Sequence, residues 1–459
     1  MNDETKAGGL GKLDVFLGLV CAILFADVIA PNASMGVPVI TWWIIIGVLF
    51  YIPNGLITAE LSATYPDKGG IFSWVTRAYG SKWGARLSYY YWVNNAIWIS
   101  SAYIWFSGLL ASIFFPSLPF IAEVGIGIAM TWLTVWIASK PMVESKWVTN
   151  LAAIAKLTIF AVVIISGAVY FFKSGTTSNT IEWKAFVPTF DQALIYLPIM
   201  VYSCCGLEVL SASAHEMENP KRDLPKSIIT VALMVIVLNV LASFATLTTV
   251  PLDSLNLITG VTDAIAIGLG ASPVFIMIIA AIFLYSILAQ VVTWTLGTCW
   301  GAMEAGASGE LPKYFAKEGK GGIPVGALQI TGITTTVIFL VYGLMATNSA
   351  DLFYTLLAFS SIIFFVPYIL MFGAYLKLKQ IDTTTIRTFV APMGNIFSYI
   401  CLFVLISACV LFVWVPGQPF DAAYAVPILI GLVVVMGIGE GLIVYGRNQA
   451  DSKETKEVA

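Results

Sequence analysis

The chain has 459 residues, of which 59% are hydrophobic and only 11% charged, with a mean hydropathy of +0.88. That composition excludes a soluble globular protein, whose elements would carry a polar face at helical or strand period. Apolar runs of about 20 residues recur from end to end instead, each long enough to cross ~30 Å of hydrocarbon. The net charge of -3 decides nothing alone, because what matters in a membrane protein is where Lys and Arg sit relative to the bilayer.

The opening residues "MNDETKAGGLGK" lack the cleavage region of a signal peptide and read as a cytoplasmic tail over 1–12. Twelve spans follow, near 13–36, 40–65, 83–115, 121–139, 146–172, 190–214, 225–250, 273–305, 324–346, 350–378, 391–415 and 423–446. The longest connectors, near 173–189, 215–226, 251–272 and 306–323, carry the Gly, Pro, Ser or charge clusters of loops. One transmembrane domain therefore runs over 13–446, with helices 1–5 at 13–172, helices 6–10 at 190–378 and helices 11–12 at 391–446. The charged end "RNQADSKETKEVA" (447–459) reads as a solvated, disordered cytoplasmic tail. With both termini cytoplasmic, all Lys and Arg fall on the cytoplasmic side except Lys173 and Lys184, outside, and Lys156, within a span.

Short repeats of 20 to 50 residues are absent. Helix-breaking chemistry, however, occurs in two corresponding places, "DVIAPNASMG" in span 1 and "YSCCGLEVLSAS" in span 6. Pro31 lacks an N–H and clashes with the carbonyl one turn earlier, which predicts an opening around Val28, Ile29 and Ala30; Gly206 is the weaker counterpart. Paired interrupted helices mark the central site of a transporter, and spans 1 and 6 would be equivalent if helices 1–5 and 6–10 were inverted repeats. The bland alternative is a proline kink with no site. Cys21, Cys204, Cys205, Cys299, Cys401 and Cys409 all fall in spans and read as small packing residues, with no spacing that suggests a disulfide framework or a metal.

Four ordered motifs carry a family resemblance. "YIPNGLITAELSATYPDKGGIFSWVTRAYGSKWGARL" (51–87) resembles the second helix and first cytoplasmic loop of the amino acid-polyamine-organocation transporter superfamily. "GLEVLSASAHEMENPKRDLPKSI" (206–228) is similar to its sixth helix and following loop, "WTLGTCWGAMEAGASGELPKYFAKEGKGGIPVGAL" (294–328) to its eighth, and "VPYILMFGAYLKL" (366–378) to its tenth. The resemblance implies an all-α polytopic membrane protein of twelve transmembrane helices, built as a five-plus-five inverted repeat of the leucine-transporter-like kind with discontinuous helices 1 and 6. The site would then lie between helices 1, 3, 6, 8 and 10. The nearest subgroups are the bacterial glutamate/GABA-type and arginine/agmatine-type antiporters and the polyamine uptake transporters. One departure is that the family's glycine-rich "GSG" opening, which offers N–H groups to a substrate carboxylate, is replaced by "VIAPN". Here proline removes a donor, and Val28 and Ile29 crowd the others.

An ionised side chain at mid-bilayer costs ~2.5–3.5 kcal/mol, so each calls for a partner or a job. Asp27, Glu60, Glu208, Glu440 and Lys156 are the ones within spans. Glu60, near the cytoplasmic end of helix 2, reads as paired with a loop Arg or Lys; Glu440 reads as a packing or oligomer residue with no transport role. By resemblance, Glu208 is a proton- or substrate-responsive gate, and Lys156 stands where sodium binds in sodium-coupled cousins. Asp27 sits just before the opening, as does a Glu in the polyamine uptake group, and would attract an ammonium or guanidinium; its alternative is an internal ion pair with Lys156. Tyr91, Asn94, Asn95 and Trp98 share one face of helix 3. The resemblance places Tyr202 at a helix-6 aromatic gate, Trp294 at the helix-8 tryptophan and Tyr368 at the helix-10 tyrosine. His215, beside Glu216, reads as a loop residue rather than a proton relay.

The expected substrate site thus comprises Asp27, Ala30, Asn32, Asn94, Asn95, Trp98, Tyr202, Cys205, Glu208, Trp294 and Tyr368, with Lys156 and Glu208 for coupling or gating, and neither metal nor cofactor. The expected activity is sodium-independent exchange of small cationic amines, agmatine against putrescine, across the bacterial plasma membrane. Its alternatives are exchange of an amino acid for its decarboxylation product, and a channel or transport-dead sensor. An enzyme is excluded for want of a nucleophile motif, metal cluster or soluble domain. The expected partners are amine or amino acid substrates and membrane lipid, with a possible homodimer and no nucleic acid.

Overall fold

The computed structural model describes residues 12–66, 70–140, 146–188, 192–209, 211, 219–420 and 422–458. Hydrocarbon offers backbone groups no partner, so an apolar run satisfies its own amides by becoming a helix. In chain order the helices are α1 (Lys12–Ile23), α2 (Ile29–Ala33), α3 (Val39–Thr64), α4 (Ile71–Tyr79), α5 (Ser81–Phe114), α6 (Phe120–Ala138), α7 (Lys146–Ser174) and α8 (Leu197–Ser203). They continue with α9 (Pro220–Thr249), α10 (Gly260–Leu269), α11 (Pro273–Ala307), α12 (Val325–Gly343), α13 (Ser349–Ile381), α14 (Gly394–Leu411) and α15 (Ala422–Val458). No strand occurs among the described residues. Ten helices are long and apolar enough to span a bilayer: α3, α5, α6, α7, α9, α11, α12, α13, α14 and α15.

Burial separates the helices that build the centre from those left facing hydrocarbon. The most apolar windows of α5 and α13 are each 78% buried, whereas that of α15 is 17% buried, and α11 and α13 both lie along α5. Close approach elsewhere depends on missing side chains. A Cβ on Gly167 of α7 would lie 2.6 Å from the Ala245 backbone of α9, and one on Gly268 of α10 would lie 2.5 Å from the Ser166 carbonyl of α7. Small residues let the three helices touch, as helices in lipid must to gain dispersion contact.

Several expectations need correction. The helix-1 opening falls at Leu24–Val28, one turn before the expected residues, and α2 has already begun at Ile29. The clash of Pro31 is with the carbonyl four residues back, at Asp27, so the disruption is displaced toward the N-terminus, while proline itself fits a first turn. The 251–272 connector holds α10, which stops at Gly270 in a left-handed conformation (φ 61°). The charged tail is helical through Val458, because Gly446 is its last glycine and Gln, Ala, Lys and Glu are good helix formers. Glu440 is paired within the chain, 2.6 Å from Arg86 of α5.

Gly167→Val should lower the thermal unfolding midpoint of the detergent-purified protein, since overpacking against backbone costs about 1–3 kcal/mol. Gly297→Val, at a helical position with nothing within 4 Å of a Cβ, should not.

Candidate functional site

The break in helix 1 strands the last carbonyls of α1, and three side chains meet them. Val20 O still accepts from Leu24 N at 3.1 Å. Cys21 O accepts from Lys156 Nζ of α7 at 2.6 Å, while Ala22 O accepts from Trp294 Nε1 at 2.9 Å and Gln290 Nε2 at 3.3 Å, both of α11. Lys156 Nζ also donates to Gln290 Oε1 at 2.6 Å and is fully buried. An ammonium at a helix C-terminus opposes the partial negative charge of those carbonyls. Lys156 therefore stands between α1, α7 and α11.

The second break abuts the first. α8 ends at Ser203, the Cys204 carbonyl accepts from Asn54 Nδ2 of α3 at 3.0 Å, and Gly206 has φ 105°. A Cβ on Gly206 would lie 2.8 Å from Ile23 of α1 and 3.0 Å from Trp294, so glycine satisfies both the backbone angle and the space. The Gly206 N–H donates to the Tyr368 hydroxyl. That hydroxyl donates in turn to Glu208 Oε2 at 2.6 Å, and Tyr91 donates to Glu208 Oε1 at 2.7 Å. Glu208 is thereby held between helices 3 and 10 by two tyrosines.

Around the breaks five aromatic rings close a circuit. Phe25 meets Trp98 at 6.2 Å, Trp98 meets Trp294 at 6.3 Å, Trp294 meets Phe364 at 5.7 Å, Phe364 meets Tyr202 at 5.5 Å and Tyr202 returns to Phe25 at 5.6 Å. These rings come from the segment after α1 and from α5, α11, α13 and α8. Two residues after Phe25, Asp27 is 1% exposed, and neither of its carboxylate oxygens has a hydrogen-bond partner. Lys156 makes no direct ion pair with it, its ammonium being turned onto Cys21 O and Gln290 Oε1. Asn32 is fully buried with both amide atoms unpartnered, and Trp98 Nε1 and Asn94 Oδ1 are likewise unpartnered. Asn95 Nδ2 donates to Thr295 at 3.4 Å, leaving its oxygen unpartnered. Cys205 Sγ leans on Val201 O at 3.6 Å, and Ala30 packs near Gly260 of α10. His215 and Glu216 lie outside the described residues.

Phe25, Phe364 and Gln290 are absent from the sequence-derived site. Phe364 could have been found, since it stands four residues before Tyr368 on the same helical face, and Phe25 two before Asp27. Gln290 has no signal in sequence, because its role follows from where α1 ends.

A family model described as amino acid permease matches residues 10–438. The chain belongs to the amino acid permease family. It is thus a transporter of the amino acid-polyamine-organocation superfamily, a group that moves solutes rather than transforming them. A Lactococcus lactis protein named as a probable agmatine/putrescine antiporter is 31% identical over 95% of both chains. A Lactococcus lactis glutamate/gamma-aminobutyrate antiporter is 25% identical over 75% of this chain and 71% of its own length. An uncharacterised transporter of Legionella pneumophila is 28% identical over 84% of each.

Lys156→Met keeps the stem but strands Cys21 O and Gln290 Oε1. With about 1–3 kcal/mol lost per unsatisfied buried acceptor, the permease should unfold at a clearly lower temperature in detergent.

Proposed function

We propose that this permease is a sodium-independent antiporter of small cationic amines, exchanging agmatine against putrescine by alternating access across the bacterial plasma membrane. The observation that carries this is Asp27. An isolated carboxylate in a closed, aromatic-lined site is costly unless a cation meets it, and at about 4 Å and an effective dielectric of 20 that attraction reaches ~4 kcal/mol. The surrounding rings add cation–π attraction of ~0.5–2 kcal/mol each for an ammonium or guanidinium. Apolar walls suit a methylene chain. A zwitterionic amino acid would bring its own carboxylate toward Asp27, where Pro31 offers no N–H and Ile29 N already donates to Ala26 O at 3.3 Å. The resemblance to a probable agmatine/putrescine antiporter supports the same pair.

In this reading the broken helix of α1 and α2 and the segment around α8 are spans 1 and 6. They complete twelve spans with the ten long helices and relate as inverted repeats. The end of the bundle carrying Lys140, Arg77, Lys379 and Arg387 faces the cytoplasm, consistent with the excess of Lys and Arg in its loops. Lys156 supplies the charge that sodium supplies elsewhere, and Glu208, gripped by Tyr91 and Tyr368, is the gate beneath the ring.

Counterflow in proteoliposomes loaded with putrescine should accumulate labelled agmatine, and exchange of external sodium for choline should leave the rate unchanged. Exchange of glutamate or another zwitterion with neglect of both amines would overturn the cationic reading, and steep sodium dependence would overturn the role of Lys156. Asp27→Asn keeps the shape and removes the charge. It should weaken amine binding about tenfold or more, read by calorimetry on the purified protein.

A further inference from the structure

Away from the ring, a second carboxylate is buried near the other end of α3. Glu60 is fully buried, and four donors converge on it: Arg387 Nη1 at 2.9 Å, Lys379 Nζ at 3.2 Å, the Tyr375 hydroxyl at 2.7 Å and Ala391 N at 2.8 Å. All come from α13 or from the connector that leads to α14. A parallel tie lies alongside, where the Tyr65 hydroxyl donates to Asp382 at 2.8 Å and the Arg387 guanidinium stands 6.0 Å over the Tyr65 ring. Glycine at 394 leaves the room that the Tyr375 hydroxyl occupies.

The consequence lies along α13. Tyr375 and Tyr368 are seven residues apart, two turns on one helical face, about 10 Å along the axis. One tyrosine holds Glu60, and the other holds Glu208 and the Gly206 amide. Between Tyr368 and the rest of the helix stands Pro367, which removes the hydrogen bond to Ile363 O and makes this the weakest point at which α13 can bend. The segment from Tyr368 to Ile381 is thus a lever, hinged beside the gate and anchored at its far end on α3.

We propose that Glu60 is a positioning residue of the transport cycle, the cytoplasmic latch that keeps this lever on α3 and so keeps Tyr368 on Glu208. Opening toward the cytoplasm then requires its hydrogen bonds to be released. The inference rests on alternating access but not on which amine is carried.

The test uses native thiols and no substrate. Cys205 is fully buried beside Gly206, and Cys299 is equally buried in a separate cluster away from the gate. In purified protein treated with N-ethylmaleimide and read by mass spectrometry, Tyr375→Phe should raise the alkylation rate of Cys205 about fivefold, the effect of one lost buried hydrogen bond on an opening equilibrium. Glu60→Gln should raise it further, with Cys299 unchanged in both. Unchanged labelling of Cys205 in Tyr375→Phe would overturn the proposal, as would a parallel rise at Cys205 and Cys299, which would mean general loosening. A protein that fails the amine counterflow assay yet shows selective labelling would retain the latch and lose only the substrate assignment.

Discussion

The structure depends on what happens to the Cys21 and Ala22 carbonyls where α1 stops. Free carbonyls in hydrocarbon are intolerable, and a helix C-terminus concentrates their negative potential. The protein answers with an ammonium, an amide and an indole, drawn from α7 and α11. That solution fixes where the other helices stand. Lys156 ties α7 to the break, Trp294 joins both the break and the aromatic circuit, and Gly206 is glycine because Trp294 and Ile23 leave no space for more.

Those donors are turned onto the end of α1 and onto one another, and none of them bonds Asp27. Its carboxylate has no hydrogen-bond partner although Lys156 is nearby in the fold. Glu208 and Glu60 show the opposite condition, each saturated by tyrosine hydroxyls and, for Glu60, by two cations as well. The three most deeply buried carboxylates among the described residues thus divide by satisfaction: two are held by the protein, and one is left open beside a ring of aromatic faces. In the proposed reading the open one is where a substrate cation gains most, and the held ones are where conformational change breaks bonds.

Much of this was legible in the sequence because it rests on local chemistry. Proline and glycine announce the breaks, hydropathy announces the spans, and a lone Asp or Lys in an apolar run announces itself. What escaped depends on which groups meet in space. The opening lies a turn earlier than expected, because proline acts through a carbonyl four residues back. A direct contact between Asp27 and Lys156 was a reasonable expectation for two opposite charges in lipid, and it does not form because Cys21 O and Gln290 Oε1 take the ammonium. Phe364 has the spacing of a site residue but the composition of any transmembrane helix. The fourfold coordination of Glu60 draws on residues more than 300 positions away.

The central claim is that the open carboxylate in the helix-1 break is the seat of a substrate cation. An experimental structure of the permease with bound agmatine would test it most directly. The account predicts the guanidinium or ammonium within hydrogen-bonding distance of Asp27, its carbon chain enclosed by Phe25, Trp98, Tyr202, Trp294 and Phe364, with Lys156 still on Cys21 O. Agmatine bound with both cationic ends away from Asp27, or Asp27 turned onto Lys156 in the occupied site, would contradict it.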